Sequence, residues 1–324
     1  MANRLVICLM LFMCLQLDEV KAATSSYAVI DGQTGRLLLG TAPHAQLPIA
    51  SLTKMWTAFV VVTYSNLADE VTISDAAVRS EGSSIYLEAG DVWTVEELLH
   101  GLMLRSGNDA AHALAEHTGG SVEGFVYLMN DLANKYGLAN TMFTNPSGLH
   151  DDQHMSTAYD TAKMLQIAMQ NEDFRRIAST PLYKGRVAWQ NKHRLIHEEI
   201  GMIAGKTGFT KKAGRTLASF FEREQKQMIV VTLNEPDDWN KHRLLVNMID
   251  STYEVIEVAK RGNYHMSNIQ LTVEEPIKLL LKKEEASKLK HVALISRVPA
   301  STRAVWYVLL DGERIASKLV MKQQ

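Results

Sequence analysis

The sequence is short of cysteine. Its two cysteines, Cys8 and Cys14, both lie close to the N-terminus. With that segment removed, the chain has no disulfide, no thiol nucleophile and no thiolate metal site. Charge of one sign is also scarce. The formal net charge is −2 over 324 residues, so neither a nucleic-acid-binding basic surface nor a solvating acidic tail is expected. Long apolar runs are missing as well. Leu5–Leu15 is unbroken but falls short of the ~20 residues needed to span a bilayer, and no later segment is apolar enough to cross one. Internal repeats and low-complexity stretches are absent, which excludes a solenoid. What remains is 46 % apolar and 22 % charged, ordinary for a globular chain of one large domain or a large plus a small one.

The N-terminus carries an address. Arg4 precedes the apolar run, and Val20-Lys21-Ala22 places small residues at the −3 and −1 positions of a cut after Ala22. That order of charge, apolar run and small residues predicts a secretory signal peptide over residues 1–22 and an exported mature protein. The bland alternative is a buried N-terminal helix. Cys14 as a lipid-attachment site is disfavoured by the bulky Met13 before it.

Along the mature chain, Tyr27–Asp31 and Arg36–Gly40 read as two strands around a Gly32–Gly35 turn. Helices are predicted from Ser51 to Val62, through Trp93–Glu116 and Val122–Tyr136, and over Thr157–Met169. Asn145-Pro146-Ser147-Gly148 reads as a loop. Strands return at Met202–Lys206, Gly214–Glu222 and Gln227–Asn234, followed by a closing helix over Trp239–Lys260. The early hairpin and the late strands are expected to share one antiparallel sheet covered by helices, an α/β (α+β) layer architecture. Residues 261–324 read as short strands only and predict a small all-β C-terminal domain after a catalytic domain of 23–260.

Chemistry first shows at Ser51-Leu52-Thr53-Lys54. On a helix, positions i and i+3 share a face, so the lysine amine can reach the serine hydroxyl. A serine is a weak nucleophile until a base takes its proton, and a lysine is a base only when burial or a neighbouring cation lowers its pKa. The apolar run Ala58–Val62 supplies such burial. Alone the spacing is weak. A second Ser-x-x-Lys, Ser287–Lys290, reads as a solvated charged segment. Two further motifs add weight. Ser106-Gly107-Asn108 breaks a helical stretch and can turn a hydroxyl and an amide into a cleft. Lys206-Thr207-Gly208 ends a predicted strand, where glycine lets backbone approach a ligand. Each motif read singly is an N-cap, a helix break or a turn; together and in this order they form the set of penicillin-interacting serine enzymes, with Ser-Gly-Asn in place of Ser-Asp-Asn.

On these motifs the chain resembles the low-molecular-weight penicillin-binding proteins of the serine D-Ala-D-Ala carboxypeptidase type. The resemblance rests on Pro48–Lys54, Leu104–Ala111, Thr144–Leu149 and Gly205–Thr210, and extends from about Tyr27 to Asp250. Within the family, the chain resembles the sporulation-associated members of Gram-positive spore formers. The resemblance implies a beta-lactamase/transpeptidase-like fold and no metal or organic cofactor. It implies Ser51 as nucleophile and Lys54 as its base. Ser106 would relay a proton to the departing D-alanine, with Lys206 holding the network. Asn108 would bind substrate backbone, Thr207 its terminal carboxylate, and the amides of Ser51 and Phe209, beside Gly208, the oxyanion. The partners implied are a peptidoglycan stem peptide and beta-lactams, in an extracytoplasmic setting that allows peripheral association with the outer face of the cytoplasmic membrane.

One departure stands out. Many relatives carry an arginine shortly after the strand ending near Asn234; here the stretch is Glu235-Pro236-Asp237-Asp238-Trp239-Asn240, leaving Arg215 and Arg243 as candidate replacements. The histidine pairs His150/His154 and His193/His197 have metal-like spacing but lack the glutamate a zinc protease places after its first histidine. Rival functions are a beta-lactamase, for which Glu116, Glu123, Glu172, Glu198 and Glu199 show no water-activating loop pattern, and a non-catalytic beta-lactam or wall-peptide receptor.

Overall fold

A computed structural model describes residues 25–266, 269–296, 298 and 301–323. The expected signal peptide lies outside the described residues.

The early hairpin and the late strands do form one sheet. Strands β1 (Ser26–Asp31), β2 (Leu37–Thr41), β3 (Met202–Thr210), β4 (Gly214–Arg223) and β5 (Lys226–Leu233) are arranged β2-β1-β5-β4-β3, antiparallel throughout. Both faces are buried, which is why these strands read as near-continuous apolar runs. Ala28, Ile30, Ala218, Phe220, Ile229 and Val231 face the helical layer. Val29, Phe221, Met228 and Val230 face the opposite side, where a C-terminal helix packs through Leu245, Val246 and Ile249.

The helical layer is built around α1 (Thr53–Tyr64), buried on all sides from Thr53 to Val61. The run expected to be helical from Trp93 is split in three. A capping box, Thr94 with Glu97, starts α2 (Val95–His100). A π-helical turn follows over Gly101–Arg105, and Ser106 then adopts a left-handed conformation, φ 68°, that ends the helix. The chain restarts as α3 (Asn108–Gly119). Side-chain caps at Ser121, Thr157 and Asn171 start α4 (Val122–Lys135), α5 (Ala158–Ala168) and α6 (Glu172–Ala178).

The closing helix is shorter than its sequence suggests. It is α7 (Asp238–Thr252), and the next residues form strand β6 (Tyr253–Ala259) rather than about two further turns of helix. Val255, Ile256 and Val258 are β-branched, and β6 finds an antiparallel partner in β9 (Ile277–Lys282). The other strands of this C-terminal part are β7 (Gly262–Met266), β8 (Ile269–Val273), β10 (Leu289–Ile295), β11 (Arg303–Leu310) and β12 (Glu313–Lys322). They form a second antiparallel sheet in the order β7-β8-β12-β11-β10. Its core holds Leu271, Leu281, Trp306 and Val308. Arg36, just before β2, is ion-paired with Glu285 in the turn after β9 and ties that turn to the larger sheet. Ser287 and Lys290 are exposed, as a solvated segment should be.

Candidate active site

The three motifs converge on one cleft. It has a volume of about 430 Å³ and is lined by Ser51, Ser83, Ser106, Lys192, Arg194, Thr207, Gly208, Phe209, Arg215, Thr216, Asp238 and Trp239. A larger cavity, about 660 Å³, opens beside Arg36, Glu285 and Arg314; none of the three motifs lines it, so the smaller cleft is the chemical one.

Ser51 sits in a 3₁₀ turn, Ala50–Leu52, just ahead of α1. The residue before it, Ala50, has φ 50°, an uncommon left-handed value for a residue with a Cβ. A relay fixes that conformation. Thr144 N–H donates to His154 Nδ1 (3.1 Å), so His154 Nε2–H donates to Thr53 Oγ1 (2.8 Å), whose hydroxyl donates to Ala50 O (2.8 Å). Burial holds the His154 pKa down to about 4, so the ring stays neutral. The 145–148 loop closes from the other side. Gly148, φ 78°, lies so near that a Cβ there would stand 1.9 Å from Ala50 O. Thr57 Oγ1 donates to Pro146 O at 2.6 Å and pins the loop to α1.

Lys54 is fully buried. Its Nζ lies 3.2 Å from Ser51 Oγ, 2.6 Å from Asn108 Oδ1 and 2.6 Å from Ser147 O. Burial, reinforced by the Lys206 charge, holds its pKa well below the ordinary lysine value. A neutral amine has two N–H bonds and one lone pair. Two of the three neighbours are carbonyl oxygens, which only accept, so they take the two N–H bonds. In that neutral form the lone pair would face the Ser51 hydroxyl.

The Asn108 side chain is also held by the protein. Oδ1 accepts from Lys54, and Nδ2 donates to Glu81 O. Its neighbour Asp109, which sequence reasoning passed over, is buried and accepts from Ser84 Oγ and the amides of Ile85, Leu87 and Ala110. It thereby fastens the 83–87 segment to the start of α3. Ser106 is 5 % exposed and lines the cleft from its left-handed corner.

Lys206-Thr207-Gly208 lies within β3 rather than at its end, because β3 continues to Thr210. Lys206 is buried, with Nζ donating to Thr207 O at 2.9 Å; burial and the nearby Lys192 bring its pKa down to about 7. A Cβ on Gly208 would lie 3.0 Å from the Ser51 amide nitrogen and 2.4 Å from Thr216 Oγ1. Only glycine lets β3 run this close to the serine turn. The Phe209 ring is 66 % exposed at the cleft edge. Behind β3, His193 Nε2 contacts Ser219 Oγ, which contacts His242 Nδ1, and His242 Nε2 contacts Thr232 Oγ1. The two remaining histidines of the metal-like pairs go elsewhere: His197 Nε2 contacts Asn191 O, and His150 lies 3.5 Å from Asp152. Among the described residues that line the cleft, none is a glutamate.

Residues 15–237 match the family of D-alanyl-D-alanine carboxypeptidases classed as peptidase S11. The chain belongs to this family. It is 32 % identical over 293 residues to the D-alanyl-D-alanine carboxypeptidase DacF of Bacillus subtilis, covering 83 % of this chain and 75 % of that one. It is 34 % identical over 235 residues to a D-alanyl-D-alanine carboxypeptidase of a Streptomyces species, covering 65 % and 80 %. Among solved structures, penicillin-binding protein 5 of Haemophilus influenzae superposes with a TM-score of 0.76 at 25 % identity, covering 92 % of this chain and 96 % of that one. The expected fold class, an antiparallel sheet covered by helices with a strand-rich C-terminal part, is the one observed.

Proposed function

We propose that the chain is a serine-type D-Ala-D-Ala carboxypeptidase that removes the terminal D-alanine of peptidoglycan stem peptides through an acyl-enzyme on Ser51. The observation that carries this reading is the buried Lys54 amine, with Nζ 3.2 Å from Ser51 Oγ and 2.6 Å from each of two carbonyl oxygens. Lys54 takes the hydroxyl proton as Oγ attacks the carbonyl between the two D-alanines. The amides of Ser51 and Phe209 receive the developing oxyanion. Ser106 passes a proton to the departing amine, with Lys206 behind it, and Thr207 helps hold the terminal carboxylate. Asn108 acts first on Lys54 and only then on substrate. Water then releases the acyl group. No residue role here calls for a metal or organic cofactor. Beta-lactams acylate the same Ser51. Export with cleavage after Ala22, peripheral association with the outer face of the cytoplasmic membrane and a place in the sporulation-associated branch are proposals resting on sequence alone. So is the division into 23–260 and 261–324, with β6 as the joining strand.

Mass spectrometry tests the reading. The mature protein should release one alanine from a D-Ala-D-Ala tripeptide and take a penicillin adduct on Ser51 that Ser51→Ala lacks. A lasting adduct without alanine release would favour a receptor, and fast penicillin hydrolysis with no adduct a beta-lactamase.

A further inference from the structure

The cleft is more cationic than a serine nucleophile requires. Lys192, Arg194 and Arg215 line it together, and Asp238 is the one carboxylate among the described lining residues. Arg215 projects from β4, directly across the ladder from Phe209 on β3. Its Nη2 is 2.7 Å from Asp238 Oδ1, whose side chain is only 3 % exposed, while the Arg215 side chain is 42 % exposed. Arg215 Nε is buried and has no hydrogen-bond partner among the described residues, so a ligand in the cleft would be met by the Nη donors that Asp238 does not take. The next residue after Asp238 is Trp239, and two guanidinium carbons, those of Arg194 and Arg215, each lie 5.8 Å from its ring centroid. Asp238 and Trp239 open α7, so the positive end of a fifteen-residue helix also faces this corner. Arg243, the other candidate from the sequence, is tied to Glu198 through Nε and Nη2. It does not line the cleft.

We infer that Arg215, clamped by Asp238 and steadied with Arg194 against Trp239, is the specificity residue for the carboxylate of the departing amino acid. The inference rests on the carboxypeptidase reading and names the residues that make it select a free acid. A clamped guanidinium loses little freedom when it takes a second carboxylate in a forked pair. Arg194 is exposed and contributes field rather than a fixed fork. The stretch 235–240, which lacks an arginine, supplies the clamp and the aromatic surface instead.

The test compares hydrolysis of an acylated D-Ala-D-Ala peptide with that of its C-terminal amide. Wild type should favour the acid. Arg215→Gln should lower kcat/KM on the acid about tenfold or more while leaving the amide within about twofold, collapsing the acid-to-amide ratio. Arg215→Lys should restore part of that ratio, and Asp238→Asn should lower it less than Arg215→Gln does. An unchanged ratio in Arg215→Gln overturns the inference and leaves the carboxypeptidase reading standing. Equal losses on acid and amide assign Arg215 a structural role and also overturn it. Wild type that takes no adduct at Ser51 and releases no alanine sinks the carboxypeptidase reading, and the inference with it.

Discussion

Asn108 Oδ1 lies 2.6 Å from Lys54 Nζ, closer than the serine the lysine is proposed to deprotonate. The oxygen is uncharged. It accepts a hydrogen bond from the amine but sets no formal negative charge beside it, and burial is the largest influence on Lys54.

Replacing that oxygen's neutral amide with a carboxylate should therefore have a defined sign. In Asn108→Asp a negative charge beside Nζ favours the ammonium and raises the Lys54 pKa. Less neutral amine is present at neutral pH. The acidic limb of penicillin acylation against pH should move to higher pH, read by the rate of adduct formation across a pH series. A limb that stays put would remove Lys54 from the role of base.

Gly208→Ala tests the approach of β3 to the serine turn. A methyl 3.0 Å from the Ser51 amide and 2.4 Å from Thr216 Oγ1 must push the strand outward. An oxyanion donor lost in this way costs about 10²–10³ in rate. Acylation should fall by that order, with the melting temperature much less affected.

Gly148→Ala attacks Ala50 from the loop side. The φ of 78° is unfavourable for alanine, and the new methyl would meet Ala50 O. Stability should drop by about 2 kcal/mol or more, seen in chemical denaturation, and acylation should slow at temperatures where the variant is still folded.

Acid should destabilise the protein through its buried histidines. His154 and His193 are held at about 4 and about 3 by burial, against an ordinary 6.5. Between those values the unfolded chain binds protons that the folded one does not, so stability is full above pH 6.5 and falls as pH drops towards 3. Melting temperature against pH should decline over that window. His193→Gln, whatever its own cost at pH 7, should make the decline shallower.

Much of the site was legible from spacing. Ser51, Lys54, Ser106 and Lys206–Phe209 are side chains or short motifs whose chemistry is local, and the fold brings them to one cleft. What the sequence hid depends on contacts distant along the chain. Ser147 contributes a backbone carbonyl, which any residue would supply. His154 acts on Ala50 through Thr53, across 101 positions from the histidine to the threonine. Asp109 drew no notice in the sequence because most of its partners lie in the 84–87 segment. The overlong helix has the same origin. Tyr253–Ala259 alternates in a way that suits either a helix end or a strand, and only its pairing with Ile277–Lys282 decides between them.

The proposed anion pocket has one wall in each layer of the molecule: the Ser51 amide belongs to the turn before α1, the Phe209 amide to β3. Their separation is therefore a seam, set by how the helices rest on the sheet rather than by the geometry of either. A shift of an ångström along that seam would dismantle the pocket while every hydrogen-bonded ladder survived. On warming, acylation should thus fade before far-ultraviolet dichroism reports any loss of secondary structure.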